Sequence, residues 1–79
     1  MNIIHKLDEY LEDKTYRIII KEKSINIVNY IEITDFSTNK IIIKCQNKMI
    51  NIEGKELTIS KMLDKEILVL GTIYNIRIT

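Results

Sequence analysis

The chain has 79 residues, a net charge of +1 from twelve basic and eleven acidic side chains, two glycines, no proline and no tryptophan. That length holds one domain, and the balanced charge gives no general pull toward nucleic acid or acidic lipid. A single cysteine, Cys45, excludes an internal disulfide, and a single histidine, His5, leaves no Cys/His set for a structural metal, so the core must come from aliphatic packing, self-association or both.

Residues 1–14 read as a short amphipathic segment. Ile3, Ile4, Leu7, Tyr10 and Leu11 recur at three- and four-residue steps, which predicts a helix over 3–13 with Asn2 as its cap. A helix this short needs a surface to dock on. The same segment carries acids and lacks the apolar run of a signal peptide, and nowhere is there an apolar run long enough for a membrane helix. A cytoplasmic protein is expected.

From residue 15 the hydrophobic period shortens to two, and a single β domain is expected over 15–79. Strands are predicted at 15–21, 24–28, 30–36, 40–45, 48–53, 56–62, 66–70 and 72–78, where isoleucine alternates with polar side chains. Isoleucine favours this geometry because its branched Cβ is stiff and packs well on a pleated surface. Ser37–Asn39, Gln46–Asn47 and Asp64–Lys65 are predicted turns. Gly54–Lys55 puts glycine first, as a type II′ hairpin turn requires. Gly71 has no turn partner and is read as a bend inside one strand over 66–78; Asn29 is given the same role between 24–28 and 30–36. The fold class is therefore mainly β: a small antiparallel meander, sandwich or barrel of about seven to eight short strands with one N-terminal helix.

Three runs break the alternation: Ile18–Ile20, Ile41–Ile43 and Ile67–Leu70. A strand apolar on both faces must be covered on both. One face meets the domain's own core. The other needs the N-terminal helix or a second copy, so a homo-oligomer is expected. Ile41, Ile43, Leu68 and Leu70 are the candidate interface or core residues, and Gly54 and Gly71 the backbone-shaping ones.

The residue types that carry chemistry are sparse. His5 has no second ligand at a helical step and reads as a surface histidine. Cys45 has lysines nearby but no base, and reads as a small strand residue. Glu53 and Glu56 flank the predicted Gly54 turn, where carboxylates are normally solvated. Lys40, Lys44 and Lys48 suggest a basic edge, with Tyr16, Tyr30, Phe36 and Tyr74 as stacking surfaces. Interspersed acids favour instead a solvated set of strand-protecting lysines. No phosphate loop, nucleophile elbow or zinc spacing occurs. No catalytic, metal or cofactor-binding residue is assigned, and a non-enzyme without a small-molecule substrate is expected.

The extended "SINIVNYIEITDFSTNKIIIKC", followed by "INIEGKELTIS" and then "EILVLGTIYNIRI", resembles the YabP/YqfC family of sporulation proteins. The resemblance spans roughly residues 15 to 78 and is nearest to the YqfC branch. It implies a non-enzymatic β-rich factor of the mother cell, peripheral to the forespore membrane, that acts in building the spore envelope beside a membrane-protein partner. No catalytic residues come with it. The expected function is thus an assembly or scaffold protein working through β-surface contacts. The alternative is a small nucleic-acid-binding β-barrel.

Overall fold

The computed structural model describes residues 15–79, and the predicted N-terminal helix, with His5, lies outside them. Six strands follow: β1 (Arg17–Lys21), β2 (Ser24–Val28), β3 (Tyr30–Phe36), β4 (Lys40–Cys45), β5 (Lys48–Met62) and β6 (Glu66–Ile78). They form one antiparallel sheet in the order β1-β2-β6-β5-β4-β3. Strands β3 to β6 are a meander, and the β1–β2 hairpin adds to it through β2 and β6.

Five of the six predicted turns and bends are found, Asn29 being taken up below. Gln46–Asn47 closes β4–β5 with Asn47 at φ 64°. The Asp64–Lys65 turn is clasped by the Leu63 N–H donating to the Glu66 carbonyl at 2.7 Å. Ser37–Asn39 joins β3 to β4, the Ser37 hydroxyl accepting from the Lys40 N–H at 3.0 Å. Gly71 lies within an unbroken β6 at φ 142°.

The sixth, Gly54–Lys55, is not a turn. β5 runs through Gly54–Lys55, so two predicted strands are one and the sheet has six strands rather than seven or eight. The reason is steric. A Cβ on Gly54 would stand 2.1 Å from the Thr72 carbonyl oxygen, so glycine here serves close approach of two backbones. Gly71 sits at the same level of the neighbouring strand, and Leu57, fully buried, reaches both with its Cδ2. The register slips here, with Glu56 and Leu57 inserted between Lys55↔Thr72 and Thr58↔Leu70. Glu56 adopts φ 56°, as bulged residues do. The long β5–β6 hairpin therefore bends at mid-length.

The bend folds the sheet onto itself. Lys48–Glu53 of β5 lies between β4 and β6, whereas Thr58–Met62 pairs with β6 alone. Glu66–Leu70 of β6 lies between β2 and β5, whereas Thr72–Ile78 pairs with β5 alone. One leaflet is thus β1, β2 and the turn-proximal halves of β6 and β5. The other is the remaining halves of β6 and β5, then β4 and β3. The end of β2 lies beside Glu66, and the start of β3 lies beside Cys45, which pairs with Lys48. These points are at opposite ends of the long hairpin, yet Asn29 alone connects them. Its left-handed φ of 65° makes the reversal, and its N–H donates to the Lys65 carbonyl at 2.6 Å. The Tyr30 hydroxyl reaches the Leu63 carbonyl at 3.0 Å, which ties the two ends of the folded hairpin together.

Ile25 and Ile27 of β2 and Ile67 and Val69 of β6 face Ile41, Ile43, Ile50 and Ile52 of the other leaflet in one dry cluster. The alternation in these strands is what fills it. Cys45 belongs to the same cluster, and burial pushes its thiol pKa up.

Candidate functional site

The exterior of the first leaflet is where apolar surface is left over. Register places Ile19, Asn26 and Leu68 in one row across β1, β2 and β6, and Lys21, Ser24 and Leu70 in the next. Ile19 is 44% exposed and Leu70 38%. The Asn26 Oδ1 between Ile19 and Leu68 is buried without a hydrogen-bond partner. Ile20, the third member of the first isoleucine run, is 60% exposed. It borders an open cleft with Ile73, Tyr74 and Ile76 of β6. Tyr74 stands there because Glu53↔Asn75 and Gly54↔Ile73 leave it unopposed as a bulge. Sequence reading missed this cleft. The signal was present in the last residue of "III", but the pairing of β6 with β5 rather than β1 is not a local property.

The structure divides the predicted interface residues. Ile41 and Ile43 are wholly buried in the core, whereas Leu68 is half-buried and Leu70 exposed on the outer surface. Gly54 and Gly71, distant in sequence, are brought together at the hairpin bend.

The ends of the strand order are β1 and β3; Thr58–Met62 and Thr72–Ile78, each paired on one side, are further open edges. β1 presents Arg17, Ile19 and Lys21 on the outer face, opposite Val28, Asn26 and Ser24. β3 presents Glu32 and Asp35 beside Lys44 and Ile42, again on the outer face, and also exposes Ile31 and Phe36. Register breaks between Tyr30 and Glu32 and between Ile33 and Asp35 mark two bulges.

The predicted basic edge is not a stripe. Lys40 stands opposite Glu53, and Lys44 lies between Glu32 and Met49. Nor do the aromatic residues make a stacking platform. Tyr16 packs on the core, Tyr30 is engaged by Leu63, and Tyr74 lies at the β6 bulge. Glu53 is held by Asn75 Nδ2, which donates to Oε1 at 3.0 Å, and by Arg77 at 3.8 Å. With no turn at Gly54, Glu53 and Glu56 do not flank a hairpin mouth. Among the described residues, no group of three or more His, Cys, Asp or Glu side chains converges as a metal site would require. No helix among them is long and apolar enough to cross a membrane.

The geometry defines an all-β protein built on a folded, open antiparallel sheet, with apolar residues left on its outer surface and edges. The YabP family model matches residues 12–79, so the chain belongs to the YabP family, which is linked to sporulation. The match is to the family and does not distinguish its branches. No curated protein and no solved structure matches the chain.

Proposed function

We propose that the protein is a non-enzymatic assembly factor of the spore envelope, acting through protein–protein contacts of its β surface. The observation that carries this reading is the apolar surplus outside a filled core. Ile19, Ile20 and Leu70 remain open after the folded sheet has buried its inner face. Exposed apolar residues that share a contiguous surface mark interaction sites, and register sets Ile19 and Leu70 in adjacent rows of one outer face. A contact made through a sheet edge uses backbone hydrogen bonds, so few side chains need distinctive chemistry. On this reading the partners are further copies of the chain and a membrane protein, met in the mother-cell cytoplasm at the forespore membrane. Lys40 stands opposite Glu53 and Lys44 beside Glu32, which favours this reading over nucleic-acid binding.

The test is recovery of the tagged protein from gently lysed sporulating cells. Co-purification with a stoichiometric membrane protein in the membrane fraction is expected. A soluble species that carries no protein partner, and whose deletion leaves the envelope intact, would refute the proposal.

A further inference from the structure

We infer that copies of this chain join head to tail, the β1 edge of one copy adding to the β3 edge of the next through complementary charges. This rests on the assembly reading and gives it a direction.

Three observations support it. First, the edges carry opposite charge on the same, outer face: Arg17 and Lys21 on β1, Glu32 and Asp35 on β3. Among the described residues, none of the four is in an ion pair. Asp35 Oδ1 accepts from the Phe36 N–H at 2.9 Å, which leaves Oδ2 for a partner. Second, apolar side chains accompany the charges on both edges, Ile19 and Ile20 on one and Ile31 and Phe36 on the other. Third, β1 and β3 each run antiparallel to their one neighbour, β2 or β4, so a strand from a second copy can continue the antiparallel pattern on either edge.

Charge also selects against the alternatives. Pairing β1 with β1 antiparallel sets Arg17 against Lys21, and pairing β3 with β3 sets Glu32 against Asp35. Like charges directly opposite destabilise a ladder. With β1 against β3, Arg17 opposite Asp35 leaves Lys21 one diagonal step from Glu32, within reach of its long side chain. The two bulges of β3 discourage pairing with arbitrary strands. The contact is heterologous, so it propagates as a chain of copies unless the rotation per copy closes a ring.

The experiment uses the full chain and light scattering across a concentration series at low salt, with far-UV circular dichroism confirming the fold of every variant. The wild type is expected to grow in mass with concentration and to dissociate as salt rises. R17E/K21E and E32K/D35K, each alone, are expected to be monomeric. The chain carrying all four substitutions is expected to assemble again, because both edges are inverted together. A folded wild type that stays monomeric, a single-edge variant that still assembles, or a fourfold variant that does not, overturns the inference. If the wild type is monomeric yet a membrane protein co-purifies with it from sporulating cells, the head-to-tail contact fails while the assembly reading stands.

Discussion

Replacing Gly54 by alanine is the sharpest test of the folded hairpin. The added Cβ would lie 2.1 Å from the Thr72 carbonyl oxygen, and ordinary contact begins at 3.4 Å. The gap of 3.4 − 2.1 = 1.3 Å can be made only by moving backbone, because the obstacle is a main-chain oxygen. Leu57 Cδ2, at 3.0 Å on another side, stops the new methyl from turning away. Overpacking of a tight site costs about 1–3 kcal/mol. Prising β5 from β6 also weakens flanking ladder hydrogen bonds, at about 1 kcal/mol each. A loss of about 3–5 kcal/mol follows, which is comparable to the whole stability a core of this size supplies. Gly54→Ala is therefore expected to be largely unfolded at 25 °C, read by urea titration followed by circular dichroism. In domains of this size about 1 kcal/mol shifts the melting temperature by roughly 4–8 °C. A melting temperature within about 4 °C of wild type, a shift of less than roughly 1 kcal/mol, would refute the close approach and with it the bend.

Other substitutions probe separate parts. Asn29→Gly is expected to cost about 1 kcal/mol through loss of the Nδ2 donation to the Thr15 carbonyl at 3.0 Å, and Asn29→Val about 1–2 kcal/mol more, because the left-handed φ of 65° is tolerated by glycine and penalised for a branched residue; equal melting temperatures would contradict this. Burial raises the Cys45 thiol, so deprotonation favours the unfolded chain. Stability should be level below the unfolded-chain value of about 8.5 and fall as pH rises through the window above it. Cys45→Val should remove that component of the alkaline decline, and a melting curve against pH unchanged by the substitution would count against it. Arg77→Ala removes an exposed partner of Glu53 and should shift stability by about 0.5 kcal/mol or less, so a loss above roughly 1 kcal/mol would show that the pair carries more than exposed pairs do.

Much of the fold is legible in local pattern. The strands at 24–28, 30–36 and 40–45 appear with the boundaries that alternation predicts. The bend at Gly71 follows from a glycine lacking any turn neighbour. Gly54 misleads because a glycine that opens a hairpin turn and a glycine that admits a neighbouring carbonyl look alike in one sequence. Only the approach of Thr72, eighteen positions away, distinguishes them. The isoleucine runs were informative but incomplete. They indicate apolar side chains on both faces of a strand, yet Ile41 and Ile43 went to the core while Ile19 and Ile20 stayed outside. That division depends on which strands are central, and strand order is set by long-range pairing. The edge charges were in the sequence too. Their complementarity emerged only when β1 and β3 proved to be the two ends of the sheet.

The one-residue link at Asn29 has a kinetic consequence. Because β2 finds its lateral neighbour in β6, the β1–β2 hairpin leaves the ribosome without that neighbour and waits until β6 is made. The core cannot close progressively from the N-terminus, and long-range pairing of this kind is slow. Until β6 arrives, the hydrogen-bonding edge of β2 and its isoleucines are open to any extended chain nearby, a route to misassembly during synthesis. Completion of β6 is thus the event that commits the chain to its fold, and the interval before it is the period in which a nascent chain most needs protection.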